Sequence, residues 1–118
     1  MTMEKKDKLK EAGIDVEEAL ERFLGNEDLY LKFLLKFPKD DNFSNMEKYL
    51  KQNNCEEAYK CAHSIKGVAG NLSIFNVYKC MSILAEYLKN SQLQDAKEYL
   101  DELKKVYEVS VDAIRALE

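Results

Sequence analysis

The sequence predicts an all-α protein, an antiparallel up-down four-helix bundle with a short N-terminal lid helix. Three observations predict it. The dominant residues, Leu, Lys, Glu and Ala, are strong helix formers. One proline and four glycines in 118 residues are few turn-makers for a β-rich chain. Apolar residues recur three and four positions apart in long segments joined by loops of about two to five residues, and no alternating strand pattern competes. This length makes one domain with a single core.

Residues 1–12 are polar and read as a loose N-terminal lead to a domain over 13–118. Asp15 is placed to N-cap a short helix, with Glu18 three residues on as its capping-box partner and Gly25 as its stop. Val16, Ala19, Leu20 and Phe23 give that helix one apolar side, which suits a lid. The second stretch, from Glu27 to about Asn53, carries two apolar stripes: Leu29, Phe33, Leu34 and Phe37, then Phe43, Met46, Tyr49 and Leu50. Pro38 removes a helical hydrogen bond between them, so the stretch is either one kinked helix or two in sequence. A third helix is expected from Cys55 to about Leu72. A fourth is expected from Ile74 to about Lys89, capped by Ser73, with Val77, Met81, Leu84 and Leu88 inward. The last runs from Leu93 to Leu117 with the cleanest stripe of all: Leu93, Ala96, Leu100, Leu103, Tyr107, Ser110, Ile114 and Leu117.

Composition closes off several functions. The net charge of −4 argues against nucleic acid, which requires a basic stripe, and against anionic membrane surfaces. There is no apolar run of about 18 residues and no signal-peptide pattern at the charged N-terminus, so a cytoplasmic protein is expected. A start at methionine followed by a charged lead is expected of a free-standing protein. Cys55, Cys61 and Cys80 form no CxxC pair and read as free thiols. A monomer is expected, since the acidic charge shows no self-associating face.

The chain has one histidine, His63, in the third helix. At about 100° per residue from Ala58, the residues Ala62, Ile65, Ala69 and Leu72 fall at about 40°, 340°, 20° and 320°. They form one narrow core stripe. His63 falls at about 140°, on the exposed flank, among Glu56, Tyr59, Lys66, Gly67 and Gly70. Lys66, three residues on, is within reach of whatever the imidazole carries. A glycine inside a helix costs about 1 kcal/mol relative to alanine, so Gly67 and Gly70 on one face require a reason. Clearance for another protein's backbone beside the imidazole is such a reason. Glu56, Tyr59, Lys60 and Gly70 form the candidate docking surface around His63.

Other chemistries fail on geometry. Cys61, two residues before His63, points to a different face, so the pair makes neither a metal site nor a Cys–His hydrolase. No metal site is expected. No glycine-rich strand–loop–helix cradle for a nucleotide is present.

His63-Ser64-Ile65-Lys66-Gly67-Val68-Ala69-Gly70-Asn71-Leu72 resembles the motif of the histidine-containing phosphotransfer (Hpt) domain, roughly H-x-[LI]-K-G-x-[AS]-x-x-[LI]. Gly13 to Phe23 and Asn26-Glu27-Asp28-Leu29-Tyr30 also resemble the family's opening, so the similarity runs over about residues 13–117. It implies a four-helix bundle that relays phosphoryl groups between receiver domains of two-component phosphorelays. His63 would then be phosphorylated, Lys66 would steady the phosphoryl charge, and Gly67 would give the receiver room, with Gly70 doing the same. Partners would be response-regulator receivers, with a hybrid sensor kinase as a further candidate. No cofactor is expected on this chain, because the receiver brings the Mg²⁺, and no autokinase activity is expected. One position departs: the family often has glycine where this chain has Ser73. The alternatives are a helical adaptor in which His63 is incidental, and the phosphoacceptor helix pair of a sensor kinase. Against the latter, Ser64-Ile65-Lys66 replaces the usual acidic residue and proline, and the chain has no room for an ATP-binding domain.

Overall fold

The computed structural model describes residues 1–118 and is all-helical, with no strands. Seven α-helices follow in order: α1 (Met3–Glu11), α2 (Val16–Arg22), α3 (Glu27–Lys36), α4 (Asn42–Lys51), α5 (Cys55–Asn71), α6 (Phe75–Lys89) and α7 (Leu93–Arg115). None is long and apolar enough to cross a membrane. The helices assemble into an elongated body of 43 × 23 × 19 Å. In it α5 packs between α4 and α6, and α6 packs on α7. Side chains tie α4 to α7: Phe43 stacks on Tyr107 at 4.0 Å, and Lys104 pairs with Glu47 at 3.1 Å.

One element differs from expectation. Residues 3–11 form a helix rather than a loose lead. Thr2 caps α1 by accepting from the Lys5 amide, and Leu9 is fully buried as the helix packs on α7 and α2. One apolar side chain in a polar segment gives no periodic signal, yet burying it contributes about 1.5–3 kcal/mol. Of the two readings left open for the second stretch, the structure has two helices in sequence. The stretch divides into α3 and α4 around a 3₁₀ turn, Phe37–Lys39, that contains Pro38.

The α3 stripe is also rotated from the expected one. Tyr30, Leu34 and Phe37 are buried, while Leu29 and Phe33 are about two-fifths exposed. Tyr30 takes the deep position because its hydroxyl donates to the Leu72 carbonyl at 2.9 Å, which satisfies a phenol that burial would otherwise leave unpaired. Elsewhere the stripes hold. Ala58, Ala62, Ile65, Ala69 and Leu72 are buried under α5, and Val77, Met81, Leu84 and Leu88 under α6. Ser110 is buried in α7 and donates to the Ala12 carbonyl at 2.8 Å.

Asp15, Asn26 and Asn54 cap α2, α3 and α5 by accepting from the amides of Glu18, Leu29 and Glu57. Glu18 does not complete a capping box; its carboxylate instead takes the Arg22 guanidinium at 2.8 Å. Ser73 does not cap α6, where Ile74 holds that position without a side-chain bond. Ser73 instead ends α5 in a Schellman turn, with φ +57°. Its amide donates to Gly70 at 3.2 Å and that of Ile74 to Ala69 at 2.9 Å. The α1–α2 connection is pinned to this turn. Asp15 donates its amide to Ser73, Asn76 donates its amide to Gly13, and Ile14 bridges Ile74. This fastens α2 beside the C-terminal end of α5.

Candidate functional site

The buried alanine stripe turns the opposite flank of α5 to solvent, and His63, Ser64 and Gly67 are exposed there. Small alanine side chains bring α5 close to its neighbours, so the helix under His63 is held firmly in the bundle. One turn earlier, Tyr59 stacks on the imidazole with ring centroids 5.9 Å apart and planes 24° from parallel. Such a contact restrains the rotation of the imidazole.

Lys66 is half-buried and makes no salt bridge. Its ammonium rests 5.8 Å from the centre of the Tyr78 ring on α6, a cation–π contact that leaves its charge uncompensated by any carboxylate. Lys60 differs. It pairs with Glu57 at 3.3 Å and Glu56 at 3.8 Å, and the hydrogen bond to Glu57, then the charges of both acids, hold its ammonium above the usual lysine pKa. Glu56 and Lys60 thus form a compensated pair on the N-terminal side of His63.

The two glycines serve different ends. A Cβ added at Gly67 would meet nothing within 4 Å, so the surface there is open to an approaching molecule. A Cβ at Gly70 would come within 3.2 Å of the Tyr78 ring. The clearance expected at Gly70 is therefore filled from within: the missing side chain seats Tyr78, which in turn supports Lys66.

His63, Lys66, Gly67 and Gly70 share one cleft with Tyr78 of α6 and Arg22 of α2. Asn71 and Phe75 also line it, and no carboxylate does. A second cleft of about 470 Å³ adjoins it and shares Arg22 and Asn71. This one is walled by Phe23, Phe33, Phe37 and Val68. The outward flank of α5 is thus polar and cationic at His63 and apolar beside it.

Of the residues expected at the site, the structure gathers His63, Lys66, Gly67 and Gly70 into the cleft and sets Tyr59 against the imidazole. Glu56 and Lys60 lie outside it. Sequence reasoning missed Arg22, Asn71, Phe75 and Tyr78. Tyr78 had only a faint signal: it is an aromatic in the first turn of the helix that follows the turn at Ser73, the helix that packs on α5 beside Gly70. Arg22 had none, because its place depends on how the α1–α2 connection is fastened to the α5–α6 turn.

The fold and site define a small helical-bundle module with one exposed imidazole, an uncompensated cation in the same cleft and open ground for a partner. The chain belongs to the Hpt domain family, which matches residues 39–115, more than half its length and inclusive of His63. No curated protein and no solved structure matches it. Membership puts it among the phosphotransfer domains of two-component phosphorelays, which interact with response-regulator receivers.

Proposed function

We propose that this protein relays a phosphoryl group between receiver aspartates through a phosphohistidine at His63. The observation that carries the proposal is the exposed imidazole on an alanine-backed helix, flanked by Lys66 and by open space over Gly67. A neutral imidazole, with an ordinary pKa of about 6.5, is a nucleophile near neutral pH. In the transfer, a ring-nitrogen lone pair forms the N–P bond. The acyl-phosphate P–O bond breaks, and the receiver aspartate leaves with that electron pair as a carboxylate. The other ring nitrogen keeps its proton. Passing the group on to a second receiver reverses these steps.

Lys66 offsets charge on the phosphoryl oxygens as they pass, in a docked and partly dried interface where such charges count for more. The receiver supplies Mg²⁺ and its acidic pocket, so this chain acts as a phosphocarrier without autokinase activity and needs no metal of its own. The receiver seats on the apolar cleft of Phe23, Phe33, Phe37 and Val68, edged by Lys36, Asp40 and Asn71, and extends along α5 past His63 to Tyr59, Glu56 and Lys60. Such an arrangement, an apolar centre with a polar edge, is common at protein interfaces. In this reading α4 to α7 form the antiparallel up-down four-helix bundle, α2 is its lid, and the working unit is a cytoplasmic monomer.

The test is transfer from a phosphorylated receiver with Mg²⁺. The wild type acquires an acid-labile, base-stable label, and His63→Gln acquires none. Full labelling of His63→Gln overturns the proposal.

A further inference from the structure

We propose that Arg22 of α2 is a second anion-binding side chain of the His63 cleft, exchanging Glu18 for the phosphoryl oxygens when His63 is phosphorylated. This rests on the reading of His63 as the phosphorylated residue. Arg22 lies outside the segment 39–115 that the family model matches.

Charge balance is the first ground. A phosphoryl group carries about −1.5 to −2 near neutral pH. Lys66 brings one positive charge to the cleft, and no carboxylate lines it. One cation leaves up to a full negative charge uncompensated, and Arg22 is the other cation in the cleft. Geometry is the second ground. A guanidinium is a planar fork suited to two phosphoryl oxygens at once, whereas an ammonium acts as a point charge.

The present engagement of Arg22 is the third ground. Its Nε and Nη2 both donate to a single oxygen of Glu18, at 3.0 and 2.8 Å. Half of the Arg22 side chain is exposed, and a surface i,i+4 pair of this kind is weakly held. The fork is already formed, and its present acceptor is easily exchanged. The last ground is what stays put during the exchange. The bonds that fasten α2 to the bundle run through Gly13, Ile14 and Asp15 to Ser73, Ile74 and Asn76, and none uses Arg22. The arginine can therefore change partners while its helix stays docked. The N-terminal lid thus contributes to the chemistry by delivering a cation to a cleft whose nucleophile and lysine both come from α5.

The test uses the full chain labelled by a small phosphodonor, phosphoramidate, and follows the second ionisation of the phosphoryl group by phosphorus NMR. A nearby cation favours the dianion, so Arg22→Gln should raise the phosphoryl pKa by roughly half a unit. Arg22→Lys should restore part of that shift. Glu18→Gln, which frees the guanidinium, should lower the phosphoryl pKa or leave it at the wild-type value. A purely structural role would not give this order. An Arg22→Gln phosphoryl pKa equal to wild type, with helicity intact, overturns the proposal. A rise in Glu18→Gln, where Arg22 is present and unpaired, overturns it equally and does not depend on Arg22→Gln folding. If the wild type takes no label on His63 from phosphoramidate or from a phosphorylated receiver with Mg²⁺, the underlying reading fails instead, and that result is separately visible.

Discussion

Ser73→Gly should make the protein more stable. Ser73 occupies the left-handed region at φ +57°, and its hydroxyl is fully buried with no hydrogen-bond partner. The left-handed conformation costs a residue with a Cβ about 1–2 kcal/mol, and a buried unpaired hydroxyl about 1–3 kcal/mol. Glycine removes both. Against this stand the greater freedom of glycine in the unfolded chain, about 0.5–1 kcal/mol, and the lost packing of one Cβ. The backbone bonds at residue 73, from its amide to Gly70 and from Asp15 to its carbonyl, need no side chain and should survive. A net gain of about 1–2 kcal/mol follows, a rise in Tm of roughly 4–8 °C for a domain of this size. Urea unfolding should show a higher midpoint at an unchanged slope. Ser73→Ala separates the two contributions, because it removes the hydroxyl but keeps the Cβ, and it should gain less than Ser73→Gly. A midpoint for Ser73→Gly at or below wild type would refute the reasoning. The same backbone geometry gives a physical reason for the glycine that Hpt domains often carry here: the turn that ends the histidine helix needs a positive φ.

The two helix glycines should part ways. Gly67→Ala should gain close to the full helix-propensity difference of about 0.8–1 kcal/mol, and Gly70→Ala clearly less, because its Cβ presses on the Tyr78 ring; equal gains in urea unfolding would dismiss the packing role of Gly70. Gly67→Leu should leave the fold at least as stable by circular dichroism yet block phosphotransfer from a receiver, and undiminished transfer would remove the clearance role of Gly67. Lys66→Ala should slow transfer to His63 without loss of helicity, and an unchanged single-turnover rate would take Lys66 out of the mechanism. At high pH the buried Tyr30 and the partly buried Tyr99 and Tyr107 should destabilise the fold. Burial, then the charge of Asp40, pushes the Tyr107 hydroxyl up to about 12, and burial likewise raises Tyr30 and Tyr99. Unfolded tyrosines titrate near pH 10, so this stability is complete below about pH 10 and is lost as pH rises toward 12. Phenolate absorbance should therefore lag behind free tyrosine and rise together with unfolding; normal titration in the folded state would contradict it.

What the sequence made legible follows periodicity. The α5 stripe, the exposure of His63 and the nearness of Lys66 and Gly67 all come from one helix, where spacing alone sets direction. What escaped it depends on contacts between distant segments. Leu9 is a lone leucine in a charged lead, and only the packing of α1 on α7 and α2 explains why it is buried. Tyr30 displaces Leu29 and Phe33 from the core because a carbonyl 42 residues away accepts its hydroxyl. Ser73 resembled a cap by residue type, but the backbone at the end of α5 required a left-handed residue, and that requirement prevailed. Arg22 enters the cleft through a tether made of backbone bonds, on which side-chain patterning is silent.

The bond from Ser110 to Ala12 spans 98 residues. During synthesis α1 is made before its partner α7. Leu9 then lacks its cover from α7, and the Ala12 carbonyl stays without its serine, until translation has passed residue 110. Closing so long a loop costs entropy that local helix contacts do not offset. The nascent chain therefore carries its histidine helix, already bracketed by α4 and α6, well before the N-terminal segment is locked in place. Completion of α7 is the event that locks α1 and the Ala12 carbonyl in place.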